Sequence, residues 1–240
     1  MTIRDFIART EAIATIGSLH YFDPDTLATG KEHNLDGLRF YFLGRGGVLG
    51  DVEPEVVASA FGYWNPALIT KMWTSAKERM APREAARLYL SCAHELGRKR
   101  FGEVAGLDAF CAAAEQVSAA IDPAALALYA GYDAEPLPDD APARAMQLCV
   151  TLREARASAH LVGVVATGLR PRMAHAIKRP NDGKMFGWDD EPTPTDEERA
   201  LWDEAEEITI RQLERWFGVL DDAGRESFLT GLDGMSAALA

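Results

Sequence analysis

A long amphipathic helix is predicted for residues 194–220, PTDEERALWDEAEEITIRQLERWFGVL. Thr195 and Glu198 match a capping box, because the threonine hydroxyl can accept from an unpaired backbone N–H while the glutamate reaches back to the cap residue. A mostly apolar face then follows at a spacing of three or four residues: Leu201, Ala205, Ile208 and Gln212, with Trp202, Leu213, Trp216 and Phe217 beside them. Strand-like alternation is nearly absent from the chain, so the sequence predicts a mainly α protein.

The first half of the chain contains a second stretch that resembles this helix, which suggests an internal repeat. Residues 82–104, PREAARLYLSCAHELGRKRFGEV, have a similar pattern, and a second helical stretch follows each long one, at 105–121 and 221–239. Upstream, both halves place a proline at a predicted helix start, Pro54 and Pro171. Two diverged copies of one helix-turn-helix-like unit would explain the similarity between the halves. The alternative is a chance similarity between two helical halves.

The division between the two copies is predicted from a proline-rich, acidic segment. Residues 131–142, GYDAEPLPDDAP, contain three prolines and four acids, which is typical of a linker. We therefore expect an N-terminal winged-helix-like half at 1–133 and a C-terminal one at 134–240.

Two further helix starts and one turn are predicted from local chemistry. Asp23 and Asn65 each precede a proline, which places a cap residue directly before the first helical position. Residues 44–50, GRGGVLG, lack the lysine of a phosphate-binding loop, and we interpret them as a tight turn between helices.

Composition is that of an ordinary globular protein. Of the 240 residues, 48% are hydrophobic and 26% are charged, which leaves enough apolar surface for a sizeable core. No apolar run approaches the roughly 20 residues of a membrane span, and the N-terminus lacks the apolar region of a secretory signal. Cys92, Cys111 and Cys149 form no CxxC pair, so we interpret them as small hydrophobic residues in a reducing compartment. We expect a cytoplasmic protein with no membrane partner.

The charge of the chain disfavours DNA as a partner without excluding it. The formal net charge is −12, from 25 basic and 37 acidic residues, whereas DNA-binding proteins usually carry a basic surface. The most basic stretch of the chain contains Arg170, Arg172, Lys178, Arg179 and Lys184. Three acids at 189–191 follow it directly, where a DNA-binding wing should be basic, and the recognition helix predicted at 66–73 has a single lysine.

Several short motifs carry a resemblance to a known family: LHYFDP (19–24), FLGRGGVLG (42–50), FGYWNPA (61–67), TLRE (151–154) and HLV (160–162). The chain resembles a bacterial family, common in actinomycetes and including SalK-like members, that carries a degenerate helix-turn-helix domain. Its C-terminal stretch, 192–232, resembles the MarR type of winged helix. The resemblance implies tandem, pseudo-dimeric winged-helix-like repeats with degenerate wings, and implies little about activity. Ala155 and Ser158 depart from the family, which often has His and Asp there.

The same motifs supply a candidate site for a small-molecule ligand. A tandem winged-helix chain resembles a dimer fused into one polypeptide, and the interface between its halves is a natural place for a cavity. The predicted ligand-binding residues are Tyr21, Arg45, Tyr63, Trp64, Asn65, Arg153, Glu154 and His160. Arg45 lies in an apolar, glycine-rich stretch, where its guanidinium needs either Glu154 or an anionic ligand as a partner.

Three roles stay open for His20 and His160, which lie in apolar surroundings at equivalent-looking helix ends. Each is a candidate for a hydrogen-bonded core residue, a catalytic acid or base, or a ligand to haem or a metal. The five histidines show no close metal-ligand spacing, and no motif indicates a particular cofactor. Nucleophile-elbow and nucleotide-binding motifs are absent, so the sequence leaves open whether the protein is an enzyme.

These observations lead to three functional hypotheses. The first is a MarR-like protein that has lost most DNA-binding character and binds a small aromatic or anionic molecule between its halves. The second is a ligand-responsive, DNA-binding transcriptional regulator. The third is an accessory enzyme of secondary metabolism, with His20 or His160 as acid or base and Arg45 holding an anionic group. A fused pseudo-dimer is compatible with either a monomer or a homodimer.

Overall fold

The computed structural model describes residues 1–240 and contains 13 α-helices and two short 3-10 turns, with no β-strand. The helices are α1 (Ile3–Arg9), α2 (Ala12–Ile16), α3 (Pro24–Glu32), α4 (Gly37–Gly46), α5 (Pro54–Phe61), α6 (Pro66–Lys77), α7 (Pro82–Phe101), α8 (Leu107–Ala119), α9 (Ala127–Asp133), α10 (Ala141–Ala166), α11 (Pro171–Lys178), α12 (Asp196–Phe217) and α13 (Asp222–Ala237). The 3-10 turns cover Leu19–Phe22 and Gly47–Leu49. The predicted mainly α fold is confirmed. None of the helices is long and apolar enough to cross a lipid bilayer.

The predicted helix starts are confirmed at the cap residues. The Glu198 backbone N–H donates to Thr195 Oγ1 at 3.2 Å, and the Thr195 N–H donates to Glu198 Oε2 at 2.9 Å. Asp23 and Asn65 each accept from the backbone N–H two residues later, at 3.0 and 2.9 Å. Such bonds satisfy N–H groups that have no partner within the helix.

Helix α10 lies at the centre of the molecule. It packs against α2, α7, α8, α9 and α12, and these helices fall on both sides of residue 133. The main hydrophobic core is one cluster of 54 buried residues that extends from Phe6 to Met235. The two predicted halves therefore share a core, and their boundary stays a prediction.

The predicted linker at 131–142 is wrong at both ends. Helix α9 continues to Asp133, because Tyr132 is buried in the core and holds the last turn in place. Helix α10 begins at Ala141, where Asp140 accepts from the Ala143 N–H at 3.2 Å and caps the helix. Pro142 falls in the first turn, where a missing N–H costs nothing. The irregular connection is limited to residues 134–140.

The glycine-rich segment predicted as a turn ends α4 and brings it against α7. A Cβ on Gly44 would lie 2.5 Å from Tyr89, and one on Gly47 would lie 2.0 Å from the Pro82 carbonyl oxygen. Only glycine allows so close an approach of the two helices. The packing buries Arg45, which lies between these two glycines in sequence.

The two predicted copies agree in part. In the first copy α7 packs on α4, and in the second copy α12 packs on α10. The helices that begin at Pro54 and Pro171, α5 and α11, both have 8 residues. In the first half, α5, a turn at 62–65 and α6 form a helix-turn-helix pair. In the second half, residues 179–195 contain no helix, so α11 lacks the second helix of such a pair. Because the chain has no strand, neither half carries a hairpin wing.

Candidate functional site

One cavity of about 540 Å³ opens between helices from both sides of residue 133. Its walls come from the 3-10 turn at Leu19–Phe22 and from α4, α5, α10, α11 and α12. The volume is within the range of small-molecule sites in proteins. The cavity is lined by most of the predicted ligand-binding residues: Tyr21, Arg45, Tyr63, Trp64, Arg153 and His160.

One face of α10 forms a continuous wall of this cavity. Arg153, Arg156, Ala157, His160 and Leu161 all line it, and their spacing of three or four residues places them on one side of the helix. The motif-based prediction omits Arg156, although its position one turn after Arg153 could have indicated it.

Arg45 and Glu154 form a buried ion pair beneath the cavity. Nε and Nη2 of Arg45 donate to the two carboxylate oxygens at 2.9 and 2.8 Å, and the side chains are 7% and 0% exposed. Arg45 Nη1 donates to the Tyr41 hydroxyl at 2.8 Å. Burial opposes ionisation of Glu154, but the charges of Arg45 and Arg153 outweigh it and lower the pKa of the carboxyl to about 2. Of the two partners that the sequence leaves open for Arg45, the structure has Glu154.

Arg153 gives this cluster an excess of positive charge. Its Nη1 donates to the Tyr21 hydroxyl and to Glu154 Oε1, both at 2.8 Å, whereas its Nε and Nη2 donate to no protein atom. Burial raises the pKa of Tyr21, so its hydroxyl stays neutral. Two guanidiniums therefore share one carboxylate. Both line the cavity, and Arg153 is the one with donors that no protein atom uses.

The remaining charged groups of the wall are also mostly basic. Arg156 pairs with Glu206 at 3.0 Å, and Arg179 pairs with Asp182 at 2.6 Å. Lys178 lines the cavity and forms no ion pair. The cavity is thus electropositive in a chain whose formal net charge is −12.

Aromatic side chains form a further part of the cavity wall. Trp64 and Phe186 stack with ring centroids 4.1 Å apart and an angle of 27° between their planes. His175 lies against the same Phe186 ring at 3.9 Å, and Tyr63 and Trp202 also line the cavity. Flat apolar surfaces of this kind favour a flat, aromatic occupant.

His160 lines the cavity with one ring nitrogen held and the other without a partner. Nδ1 lies 3.1 Å from the Thr209 hydroxyl oxygen, and that hydroxyl donates to the Ala205 carbonyl oxygen at 2.8 Å. Nε2 is buried without a hydrogen-bond partner. Burial lowers the pKa of His160 to about 4, against the opposing charge of Glu206. The ring is therefore neutral at pH 7. Tyr63 and His175 also line the cavity with a buried polar atom that has no partner.

Three predicted site residues do not line the cavity. Glu154 lies behind the wall in the ion pair with Arg45. Asn65 caps α6 instead, and its Nδ2 donates to the Gly187 carbonyl oxygen at 2.7 Å. His20 is 0% exposed and lies between Tyr21 and Tyr89, each with its ring centroid 4.8 Å away. Of the two histidines considered as acid or base, only His160 lies at the cavity.

Several lining residues are not among those predicted from the sequence: Phe22, Tyr41, Phe61, Arg156, His175, Met185, Phe186, Trp202 and Glu206. Those on α12 and on the segment after α11 reach the cavity only through tertiary packing, which no local pattern indicates.

No group of three His, Cys, Asp or Glu side chains lies close enough to hold a metal ion. The three cysteines are free thiols, with Cys111 and Cys149 buried and Cys92 half-buried.

A family model described as a helix-turn-helix family matches residues 7–188, well over half of the chain. The chain belongs to this helix-turn-helix family. No curated protein and no solved structure is significantly similar to it. The match includes the α5–α6 pair and every wall of the cavity except α12, whereas the finer MarR-like and SalK-like resemblance stays a prediction.

In this helix-turn-helix protein, the segment 179–188 contacts both the cavity and the turn between α5 and α6. Arg179, Met185 and Phe186 line the cavity. The Asn65 N–H donates to the Phe186 carbonyl oxygen at 2.9 Å, and Trp188 Nε1 donates to the Tyr63 carbonyl oxygen at 3.1 Å. The N-terminus of α6 therefore contacts the segment 179–188, which also lines the cavity.

The exposed surface of α6, the second helix of the α5–α6 pair, carries little charge. The exposed residues of α6 are Pro66, Ala67, Thr70, Lys71 and Thr74. Lys77 is paired with Asp51. In the basic stretch after residue 170, Arg172 is also paired, with Asp190 at 2.7 Å. Arg179 is paired with Asp182, whereas Arg170, Lys178 and Lys184 form no ion pair. Three of the five cations of that stretch are thus free to contact phosphates, against a single unpaired lysine on α6.

Proposed function

We propose that this helix-turn-helix protein binds a small aromatic anion in the cavity between its halves, with Arg153 pairing with the anionic group. The proposal rests on one observation: two guanidiniums share one carboxylate at the wall of a cavity lined by aromatic side chains. An anion bound to Nε and Nη2 of Arg153 would neutralise the excess positive charge.

The energetics favour such a ligand. Arg153 already has one nitrogen held by Tyr21 and Glu154, so its guanidinium is ordered before a ligand arrives and loses little freedom on binding. Two parallel N–H donors match the geometry of a carboxylate. The aromatic side chains of the wall, among them Tyr63, Trp64 and Trp202, supply apolar surface for an aromatic ring.

Calorimetric titration with 2-naphthoate and neutral 2-naphthol tests this assignment. We expect wild-type protein to bind the acid more tightly than the alcohol. Arg153→Met should weaken binding of the acid by about tenfold or more, since charge-assisted bonds contribute about 1.5–3 kcal/mol, and leave binding of the alcohol nearly unchanged. Arg153→Lys should keep part of the preference. Glu154 keeps both bonds from Arg45 in these variants, so the fold should be retained.

Arg100→Met provides the matched control, because Arg100 is exposed at the end of α7 and has no ion-pair partner. Its affinity for both compounds should equal that of wild type. An Arg153→Met variant that loses the acid and the alcohol equally would show that Arg153 shapes the cavity without pairing with an anion. Failure of wild-type protein to bind 2-naphthoate would overturn the proposal.

The second candidate function is a ligand-responsive, DNA-binding regulator. The segment 179–188 favours it, because the residues that would contact a ligand adjoin those that hold the turn before α6. The family supports a regulator-type fold as well. Fluorescence anisotropy with DNA from upstream of its own gene, at low ionic strength, tests this function. Binding that 2-naphthoate changes and Lys71→Ala weakens would support a regulator, and absence of binding at low salt would exclude it for that DNA.

A further inference from the structure

The hydrogen bonds around His160 determine which of its nitrogens carries the proton. The Thr209 hydroxyl has one hydrogen, and it donates that hydrogen to the Ala205 carbonyl oxygen at 2.8 Å. The hydroxyl oxygen must then accept from His160 Nδ1, 3.1 Å away. Glu206 Oε1, 3.7 Å from Nδ1, favours a proton there too. Nδ1 is therefore the N–H, and Nε2 has a free lone pair.

That lone pair belongs to a buried atom of a side chain that lines the cavity. The His160 side chain is 8% exposed, it lines the cavity, and Nε2 has no hydrogen-bond partner. A buried acceptor without a donor is costly, and most such atoms in folded proteins are satisfied. The charged groups nearest to the ring are Glu206, Arg156 and Lys178. None of them donates to Nε2.

The chemistry of the ring favours an acceptor over a proton-abstracting base. A histidine with a pKa of about 4 is neutral at pH 7, so it accepts a hydrogen bond but holds an abstracted proton poorly. The Nδ1 contact to Thr209 disfavours the other tautomer, because Thr209 could donate to Nδ1 only by giving up its bond to the Ala205 carbonyl oxygen.

Building on the proposed function, we propose that the ligand donates a hydrogen bond to Nε2 of His160. Its chemical class is then an aromatic acid that carries a hydroxyl or N–H group remote from its anionic group. Arg153 and His160 are seven residues apart on one face of α10, or about 10 Å along the helix axis. An elongated ligand of two rings, with its anion at one end and its donor at the other, suits this separation.

Three matched acids test the inference: 2-naphthoate, 6-hydroxy-2-naphthoate and 6-methoxy-2-naphthoate. The last is similar in size to the hydroxy acid but lacks the donor. We expect wild-type protein to bind the hydroxy acid about tenfold more tightly than either of the others, because only it satisfies the buried acceptor. His160→Phe should abolish this preference, because the phenyl ring has no acceptor for the hydroxyl group of the ligand. Thr209 keeps its bond to Ala205 in that variant, so no new unpaired donor arises.

A second variant separates hydrogen bonding from packing. His160→Gln places an amide oxygen near the position of Nε2 and should restore part of the preference for the hydroxy acid. Equal affinity of wild-type protein for the three acids, or a preference that survives in His160→Phe, would overturn the inference and leave the proposed function standing. If wild-type protein binds none of the three acids, the proposed function fails and the inference fails with it.

Discussion

Arg45 on α4 and Glu154 on α10 are 109 residues apart in sequence and form a two-point ion pair, with Arg45 Nε and Nη2 donating to both carboxylate oxygens. The pair joins the two predicted halves beneath the cavity. Because Arg153 donates to the same carboxylate, the cluster has one guanidinium more than it has carboxylates. The stability of the fold and the charge of the cavity thus depend on the same three residues.

Removing Glu154 should destabilise the protein more than removing Arg45. Glu154→Gln leaves two guanidiniums without a charged partner, whereas Arg45→Met leaves Glu154 paired with Arg153. Breaking a buried ion pair typically costs about 3–5 kcal/mol, and we expect Glu154→Gln in that range and Arg45→Met below it. Urea denaturation measures both. Arg9→Ala, at an exposed pair with Asp233, is the control and should leave the unfolding midpoint nearly unchanged. The reverse order of the two core variants would contradict the shared-carboxylate arrangement.

Acidification should destabilise the fold through His20. Burial, followed by the charge of Arg153, lowers the pKa of His20 from 6.5 to about 3. The unfolded chain therefore binds a proton below pH 6.5 that the folded chain does not, and stability falls with pH between these values. From pH 7 to pH 5 the loss due to His20 is about 2 kcal/mol. Burial also lowers the pKa of His160, which adds to the wild-type slope, so His20→Phe should make the slope shallower without removing it. His33→Phe, at an exposed site, should leave the slope unchanged. Equal slopes for wild-type protein and His20→Phe would refute the account.

Asn65→Asp should loosen the segment 179–188 and leave α6 intact. The aspartate keeps an oxygen that accepts from the Ala67 N–H, but it loses the Nδ2 donor to the Gly187 carbonyl oxygen. Amide hydrogen exchange should accelerate in 183–188 and stay constant in α6. Asn65→Ala loses both bonds, so exchange should accelerate in both places. Unchanged exchange at 183–188 in Asn65→Asp would show that this bond does not hold the segment.

Gly44→Ala should be among the most destabilising substitutions of a single small residue. Its Cβ would lie 2.5 Å from Tyr89, in the contact between α4 and α7. We expect a loss of about 2 kcal/mol or more, because the two helices must separate. In Gly168→Ala the added Cβ meets no atom within 4 Å, so only the positive φ destabilises the fold, by roughly 1 kcal/mol. Similar losses for the two variants, measured by thermal unfolding, would argue against tight packing at Gly44.

The sequence predicted local structure well where one side chain determines it. The caps at Asp23, Asn65 and Thr195 depend on a bond to a backbone N–H two or three residues away, so they are visible in the sequence. The partnership of Arg45 with Glu154 was one of two alternatives, because an unpaired guanidinium could not stay buried.

Features that depend on distant packing were not predictable in this way. Phe186 lies in an irregular segment without periodicity, yet it stacks on Trp64 and closes the cavity. The similarity between the halves predicts a second copy of the α5–α6 pair, but residues 179–195 are irregular. Within them, the Phe186 carbonyl oxygen accepts from the Asn65 N–H of the first copy. His20 and His160 had similar sequence surroundings, and only tertiary structure separates a core histidine from one at the cavity.

The most direct test of the central claim uses the indole N–H resonances of the five tryptophans. Trp64 and Trp202 line the cavity, whereas Trp73, Trp188 and Trp216 do not. With the resonances assigned by substitution, addition of 2-naphthoate should shift those of Trp64 and Trp202 in wild-type protein, and much less in Arg153→Met at the same concentration. Shifts confined to Trp73 or Trp216, or no shift at any indole, would contradict binding of an aromatic anion in this cavity.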